Sequence, residues 1–353
     1  MEDKEIISIM KQKIQQIQNK YSYSIFKRIF GCFETHFTYE GNKLMINSII
    51  NDLKKGNKIK LFYDVRTGIA KEIRAPVWYC MATEGSTYEE IITLKNESLH
   101  RDYWVDAVDC DNFELKHKQA KVIEADIVRL FPTGYEEVFK LKEIRERIRR
   151  IKRMYEYKRS YPGYFQGMGD IIAIFFIEFF EYYKGELTIE NYNNCEKEIL
   201  DIIESASYIL TIYLMQNIHI SKNDQNLSEL HSEIVWNQLL KELEMKNNGK
   251  FDIETEMTIK QQTYKFLICF FARELQPHYC AVIYDCLICG TLSNQHNAFE
   301  GLVKLILAFL TILKNEHGVN FSSLFEFNTA NKKYFENITE EEISHLIMTS
   351  WNE

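Results

Sequence analysis

The scarcity of chain breakers, four prolines and 14 glycines in 353 residues, constrains this sequence more than any other feature. Proline removes a backbone donor and glycine opens turn conformations, so a chain poor in both is ill suited to many short strands joined by tight turns. Long helices remain. Apolar spacing agrees: from about residue 60 to 325 it is helical nearly everywhere, without sustained strict alternation. No internal repeat or low-complexity block interrupts it. The expected fold class is all-α.

Segment 141–159 places Leu141, Ile144, Ile148, Ile151 and Tyr155 on one stripe, an amphipathic helix. Tyr161-Pro162-Gly163 stops it. A second helix is expected to start near Tyr164 and run through IIAIFFIEFFEYY; apolar on most faces, it should form the core of its lobe. Further helices are expected at 196–217, 228–246, 258–275, 277–290 and 297–315, with polar Lys246–Glu256 as a loop. Thr339 and Glu342 make a capping-box pattern ahead of a short final helix. The domain reading follows. Residues 1–60 form an N-terminal helical extension, with Ile6, Ile9, Met10 and Ile14 on one face and Lys54–Lys60 as linker. The main domain spans 61–325, with lobes of about 61–190 and 191–325, and 326–353 is a C-terminal tail.

A formal charge of -8 argues against nucleic-acid binding, which needs a basic surface to displace counterions. The N-terminus is acidic where a signal peptide would be basic. The longest apolar runs, Ile171–Ile177 and Leu305–Leu313, are too short to cross a bilayer. Eight cysteines are then expected as reduced thiols in a cytoplasmic protein. The chain carries no G-x-x-x-x-G-K-S/T loop and should not itself bind a nucleotide.

Three segments stand out together: Arg74-Ala75-Pro76-Val77-Trp78; Ile123-Glu124-Ala125-Asp126-Ile127-Val128-Arg129; and Tyr164-Phe165-Gln166-Gly167-Met168-Gly169-Asp170. In this order and separation they resemble the TBC domain, the catalytic module of Rab GTPase-activating proteins, whose patterns are R-x-x-x-W, I-x-x-D-x-x-R and Y-x-Q-G-M. Arg273-Glu274-Leu275 followed by Tyr284-Asp285 is a weaker fourth match, where the family has R-E-F and then W-D. The resemblance covers roughly residues 61 to 315.

It implies a fold of two helical lobes forming a V. It also implies an activator with no reaction of its own, which accelerates GTP hydrolysis by a GTP-bound Rab-family GTPase in vesicle trafficking. Arg129 would be the arginine finger and Gln166 the glutamine finger. No cofactor is implied, since magnesium and GTP come with the GTPase. The chemistry is coherent. Arginine's planar fork can bond two phosphoryl oxygens while spreading positive charge, and a neutral amide both donates to and accepts from a water.

Asp126, three residues before Arg129, would pair with it along a helix, and Phe131-Pro132 would end that helix so that Arg129 projects. Gly167 and Gly169 would leave room for a partner's backbone. Tyr164 and Asp170 either support the finger loop or contact the GTPase, with Ile123, Gly167 and Met168 completing the motifs. Arg74 and Trp78 read as builders of the fold.

Each of these residues alone has an ordinary explanation: an isolated I-x-x-D-x-x-R arginine is more often in a structural salt bridge, and a lone glutamine is a surface residue. The competing function is a non-catalytic adaptor of the same fold that binds a small GTPase or a trafficking partner.

Helix 141–159 carries nine Lys/Arg against three glutamates, a net of +6. That density fits either a solvated face paired with acidic neighbours or a surface for an acidic GTPase patch or lipid headgroups, which would place the protein peripherally on endomembranes. His278, Cys280, Cys286 and Cys289 include a C-x-x-C, yet their apolar, helix-like setting favours buried thiols over zinc.

Overall fold

The computed structural model describes residues 51, 69, 71–83, 86–111, 117–158, 164–217, 236, 237, 239–245, 249–290 and 298–352. Every regular element among the described residues is helical. The first half holds α1 (Lys71–Ala82), α2 (Tyr88–Ile92), α3 (Glu97–Asp111), α4 (His117–Val128), α5 (Lys142–Lys158), α6 (Met168–Lys184) and α7 (Ile189–Asn193). The second holds α8 (Lys197–Asn217), α9 (Ile253–Cys269), α10 (Pro277–Gly290), α11 (Ala298–Asn315), α12 (Leu324–Glu336) and α13 (Glu340–Asn352). Residue 51 apart, the extension expected over 1–60 and its linker lie outside the described residues, as do Tyr161-Pro162-Gly163 and the first part of the helix expected over 228–246. No helix among the described residues is long and apolar enough to cross a membrane.

Helix α6 is the hub. A helix apolar on most faces must be surrounded, and Met168–Phe180 are all buried. It packs against α1, α5, α8, α9 and α10. It begins later than expected, at Met168, because Gly167 takes a left-handed φ of 103° and sets the cap, leaving Tyr164–Gln166 as non-helical chain.

Across its middle runs a buried polar knot. The Asp285 carboxylate on α10 accepts from Trp78 Nε1 and the Ile69 amide, both at 2.8 Å, and from Arg74 Nε at 3.2 Å. Arg74 also donates to Glu178 on α6 at 3.2 Å and to the Ile69 carbonyl at 3.0 Å. Tyr284, at the position where the resembled motif has tryptophan, packs its ring 5.6 Å from Phe175 and 6.5 Å from Trp78. The knot binds α1, α6 and α10 into one body.

Several boundaries differ from the sequence expectation. Helix α9 starts inside the expected loop Lys246–Glu256, because the Asp252 side chain caps it by accepting from the Thr255 amide at 2.8 Å. It stops at Cys269 instead of 275, where Phe270 and Phe271 adopt φ of 48° and 65°. Left-handed backbone costs L-residues roughly 1–2 kcal/mol each. Burial of both rings and stacking of Phe271 on Phe266 at 4.7 Å offset that cost.

The lobe boundary placed near 190 precedes α8, yet α8 packs on α1, α3, α5 and α6. The boundary placed at 325 falls inside α12. The residues read as a tail are also packed: α13 lies on α11 with Ile343, Leu346 and Ile347 buried. Thr339 and Glu342 do form a capping box, with bonds of 2.7 and 3.3 Å.

Candidate functional site: a carboxylate-tied loop between α4 and α6

Helix α4 ends at Val128, and Arg129 occupies the turn that follows, ahead of buried Pro132. Arg129 is exposed and emerges between two uncovered apolar side chains, Val128 (63% exposed) and Phe131 (43%). The expected pairing of Asp126 with Arg129 does not occur. Their spacing would align them only on a continuing helix, and α4 stops before Arg129 while Asp126 turns into the core.

Asp126 instead ties two distant segments together. Its carboxylate accepts from the Tyr164 hydroxyl and, at 3.0 Å, from the Gly167 amide. Arg273 approaches it at 3.9 Å and the Lys152 ammonium at 3.8 Å. The loop is tethered at its other end by Glu156, which accepts from the Tyr164 amide at 2.6 Å. Gln166 sits between these tethers, exposed. Neither Arg129 nor Gln166 has a hydrogen bond or ion pair among the described residues. One carboxylate thus fastens the segment bearing each of them while leaving both side chains uncommitted.

The glycines serve the protein's own packing, not a partner's backbone as expected. A Cβ on Gly167 would lie 2.8 Å from Cys269 Sγ and 3.1 Å from the Ile268 carbonyl oxygen. One on Gly169 would lie 2.6 Å from Lys152 Cε. Tyr164 and Asp170 are both buried and face inward, bracing the loop. Asp170 accepts from Arg273 Nε at 2.9 Å. Burial pushes the Asp170 carboxyl above its ordinary range, and Arg273 opposes that shift. Burial likewise holds the Tyr164 phenol protonated well above its usual value, helped by Asp126. Ile123 and Met168 are core residues, whereas Arg74 and Trp78 belong to the Asp285 knot.

Two contributors escaped the motif reading. Arg273 was visible as part of the Arg273-Glu274-Leu275 match, but the left-handed turn at Phe270–Phe271 is what precedes its pairing with Asp170 and Asp126. Lys152 lies at helical spacing from Ile148 and Tyr155, so its burial was encoded in the stripe. Its lysine identity concealed it.

The basic helix α5 is largely neutralised from within. Arg147 pairs with Asp201 and Glu204 at 2.9 and 2.6 Å, and Arg150 with Glu204 at 2.6 Å. Arg149 pairs with Glu124 and Glu146, and Lys158 with Asp106. Arg145 and Arg153 donate to backbone carbonyls of Phe139 and Cys110. Among the described residues, much of the charge of this helix is therefore paired inside the protein. Cys280 and Cys286 are buried, and burial pushes the Cys280 thiol well up. The Cys289 side chain lies outside the described residues.

The fold has solved counterparts. The crystal structure of the Ypt/Rab-GAP domain of Gyp1p superposes with a TM-score of 0.60 at 16% identity, covering 87% of this chain and 98% of that one. The Chlamydomonas flagellar RabGAP TBC domain does so with a TM-score of 0.52 at 14% identity, covering 91% and 97%. Identities this low speak for the fold alone. Comparison with curated proteins found no match. The family model of the Rab-GTPase-TBC domain matches residues 71–317, well over half of the chain. With its helical architecture and its three motifs in order, this chain belongs to the Rab-GTPase-TBC domain family.

Proposed function

We propose that this protein accelerates GTP hydrolysis by a GTP-bound Rab-family GTPase, with Arg129 and Gln166 entering the GTPase's active site together. The observation that carries the reading is the Asp126 tie. A single buried carboxylate secures the Gln166 loop to the helix that ends just before Arg129, while both side chains remain exposed and unpaired. Rigid anchorage beneath an uncommitted tip is what a group supplied in trans requires, since little ordering is left for the moment of docking.

In this mechanism the Arg129 guanidinium spreads positive charge over the phosphoryl oxygens as negative charge builds on them. The Gln166 amide accepts a hydrogen bond from the attacking water and donates another, orienting it. Val128 and Phe131, exposed close to Arg129 in the chain, would exclude solvent around the arginine once the GTPase docks, which would strengthen its electrostatic effect. An arginine supplied in trans is worth about 10³–10⁵ in rate, or roughly 4–7 kcal/mol of barrier. Nucleotide and magnesium arrive with the GTPase, and such a substrate places the activity at the cytoplasmic face of trafficking membranes.

The test is single-turnover phosphate release from a panel of GTP-loaded Rab proteins with wild type, Arg129→Ala and Gln166→Ala. Stimulation by wild type, reduced roughly a hundredfold or more by Arg129→Ala, is the expected result. Binding of a Rab protein without acceleration would identify an adaptor instead, and neither binding nor acceleration across the panel overturns the reading.

A further inference from the structure

Beneath the glutamine loop lies a lysine with no hydrogen-bond partner. Lys152 is fully buried on the inner face of α5, and its Nζ makes no hydrogen bond. The nearest carboxylate oxygen is Asp126 Oδ2 at 3.8 Å, and the Tyr164 ring centroid is 5.4 Å away. Its tip occupies the space that a Cβ on residue 169 would crowd, so glycine there gives it room. An apolar side chain would fill this place without the cost of burying an unsatisfied amine. A compensating role is written in the charges around it. Asp126 and Asp170 are two carboxylates buried under one loop, and Arg273 at the half-exposed edge hydrogen-bonds Asp170 at 2.9 Å and stands 3.9 Å from Asp126. Lys152 supplies the second positive charge from below.

We propose that Lys152 is a positioning residue of the glutamine loop, its ammonium countering Asp126, the carboxylate from which Tyr164 and Gly167 are hung, and Asp170 beside it, so that stimulated hydrolysis depends on its charge. The dependence on hydrolysis rests on the roles proposed for Arg129 and Gln166.

The groups facing Lys152 are Asp126 and Glu124 from α4, Tyr164 from the loop, Asp170 from α6 and Arg149 on its own helix. Cys269 and Arg273 at the end of α9 contact the same carboxylates. Burial pulls the ammonium down to about 8 against the pull of the acidic neighbours. Below that pH the charge balance under the loop is complete. Above it the amine is neutral, the two carboxylates share Arg273 alone, and the loop that presents Gln166 loosens. The stimulated rate falls as pH rises through this value.

Lys152→Met keeps the length and apolar bulk of the side chain and removes the charge. On a Rab protein that wild type stimulates, the variant should lower kcat about tenfold while KM stays within about twofold, and should lose the decline in rate above about pH 8. In parallel, the Gly167 amide resonance of the full chain, bonded to Asp126, is followed by NMR across that pH without any GTPase. In wild type it should shift with a midpoint near 8, and in Lys152→Met it should not. A variant with wild-type kcat and pH profile overturns the proposal, as does a wild-type Gly167 resonance that is flat. Should no Rab protein be stimulated, the functional reading fails while the Gly167 titration still decides whether Lys152 governs the loop. Should the variant not fold, the wild-type titration decides by itself.

Discussion

At the scale of single residues, the site is built by what is absent as much as by what is present. Gly167 holds a φ of 103° and carries no Cβ where one would meet Cys269 Sγ at 2.8 Å. Gly134 has a similar φ of 84° but open space around it. Comparing the two separates backbone strain from crowding. Gly134→Ala should cost about 1 kcal/mol, the left-handed penalty alone, whereas Gly167→Ala should cost roughly 2–3 kcal/mol in chemical denaturation. Gly167→Ala should also slow stimulated hydrolysis, because its amide is one of the Asp126 tethers. Equal losses in stability at the two glycines would show that the contact with α9 carries no weight. Arg129 illustrates the converse point. The role proposed for it in trans requires that it have no partner, and the carboxylate three residues earlier is engaged elsewhere.

Elements obey local signals closely where those signals are strong. The stripe over 141–159 is realised as Lys142–Lys158, and the helices expected at 196–217, 277–290 and 297–315 appear within a residue of those limits. Capping chemistry located the start of α13, where Thr339 and Glu342 bond reciprocally. Thr339→Ala should therefore cost on the order of 1 kcal/mol, measurable as a shifted denaturation midpoint at unchanged slope. No change would mean that burial of Ile343, Leu346 and Ile347 alone holds the helix. The end of α9 went the other way. Nothing local marks Phe270 and Phe271 for left-handed backbone, which tertiary burial of their rings imposes. That turn ends the helix before Arg273, the residue that reaches Asp170.

For the molecule as a whole, cohesion runs through α6. Near its start Asp170 is braced by Arg273, and further along Glu178 meets Arg74, which reaches across to Asp285. The knot around Asp285 joins segments more than 200 residues apart, with sequence separations of 207 for Trp78 and 211 for Arg74. Removing its centre leaves the Trp78 indole N–H and the Ile69 amide without this acceptor and takes from buried Arg74 one of its two carboxylates. Asp285→Ala should cost about 3–5 kcal/mol in equilibrium denaturation. Because the knot is distant in role from the finger loop, whatever protein remains folded should keep a normal response to Arg129→Ala. A loss under about 1 kcal/mol would mean that water replaces the carboxylate, and the knot would not be a main source of cohesion.

The sequence by itself determined the helical class, the buried central helix and the three motifs that carry family membership. Those are properties of periodicity, chain breakers and short spacing, all of which a linear string records. The Asp285 partners, the function of Gly167 and Gly169, and the internal pairing of the basic helix were decided only by the tertiary structure. Asp126 shows why. Arg129 is its neighbour in sequence, but Tyr164, Gly167, Lys152 and Arg273 are its neighbours in space. A carboxylate pairs with whatever the packing of distant helices brings within a few ångströms, and no local pattern encodes that distance.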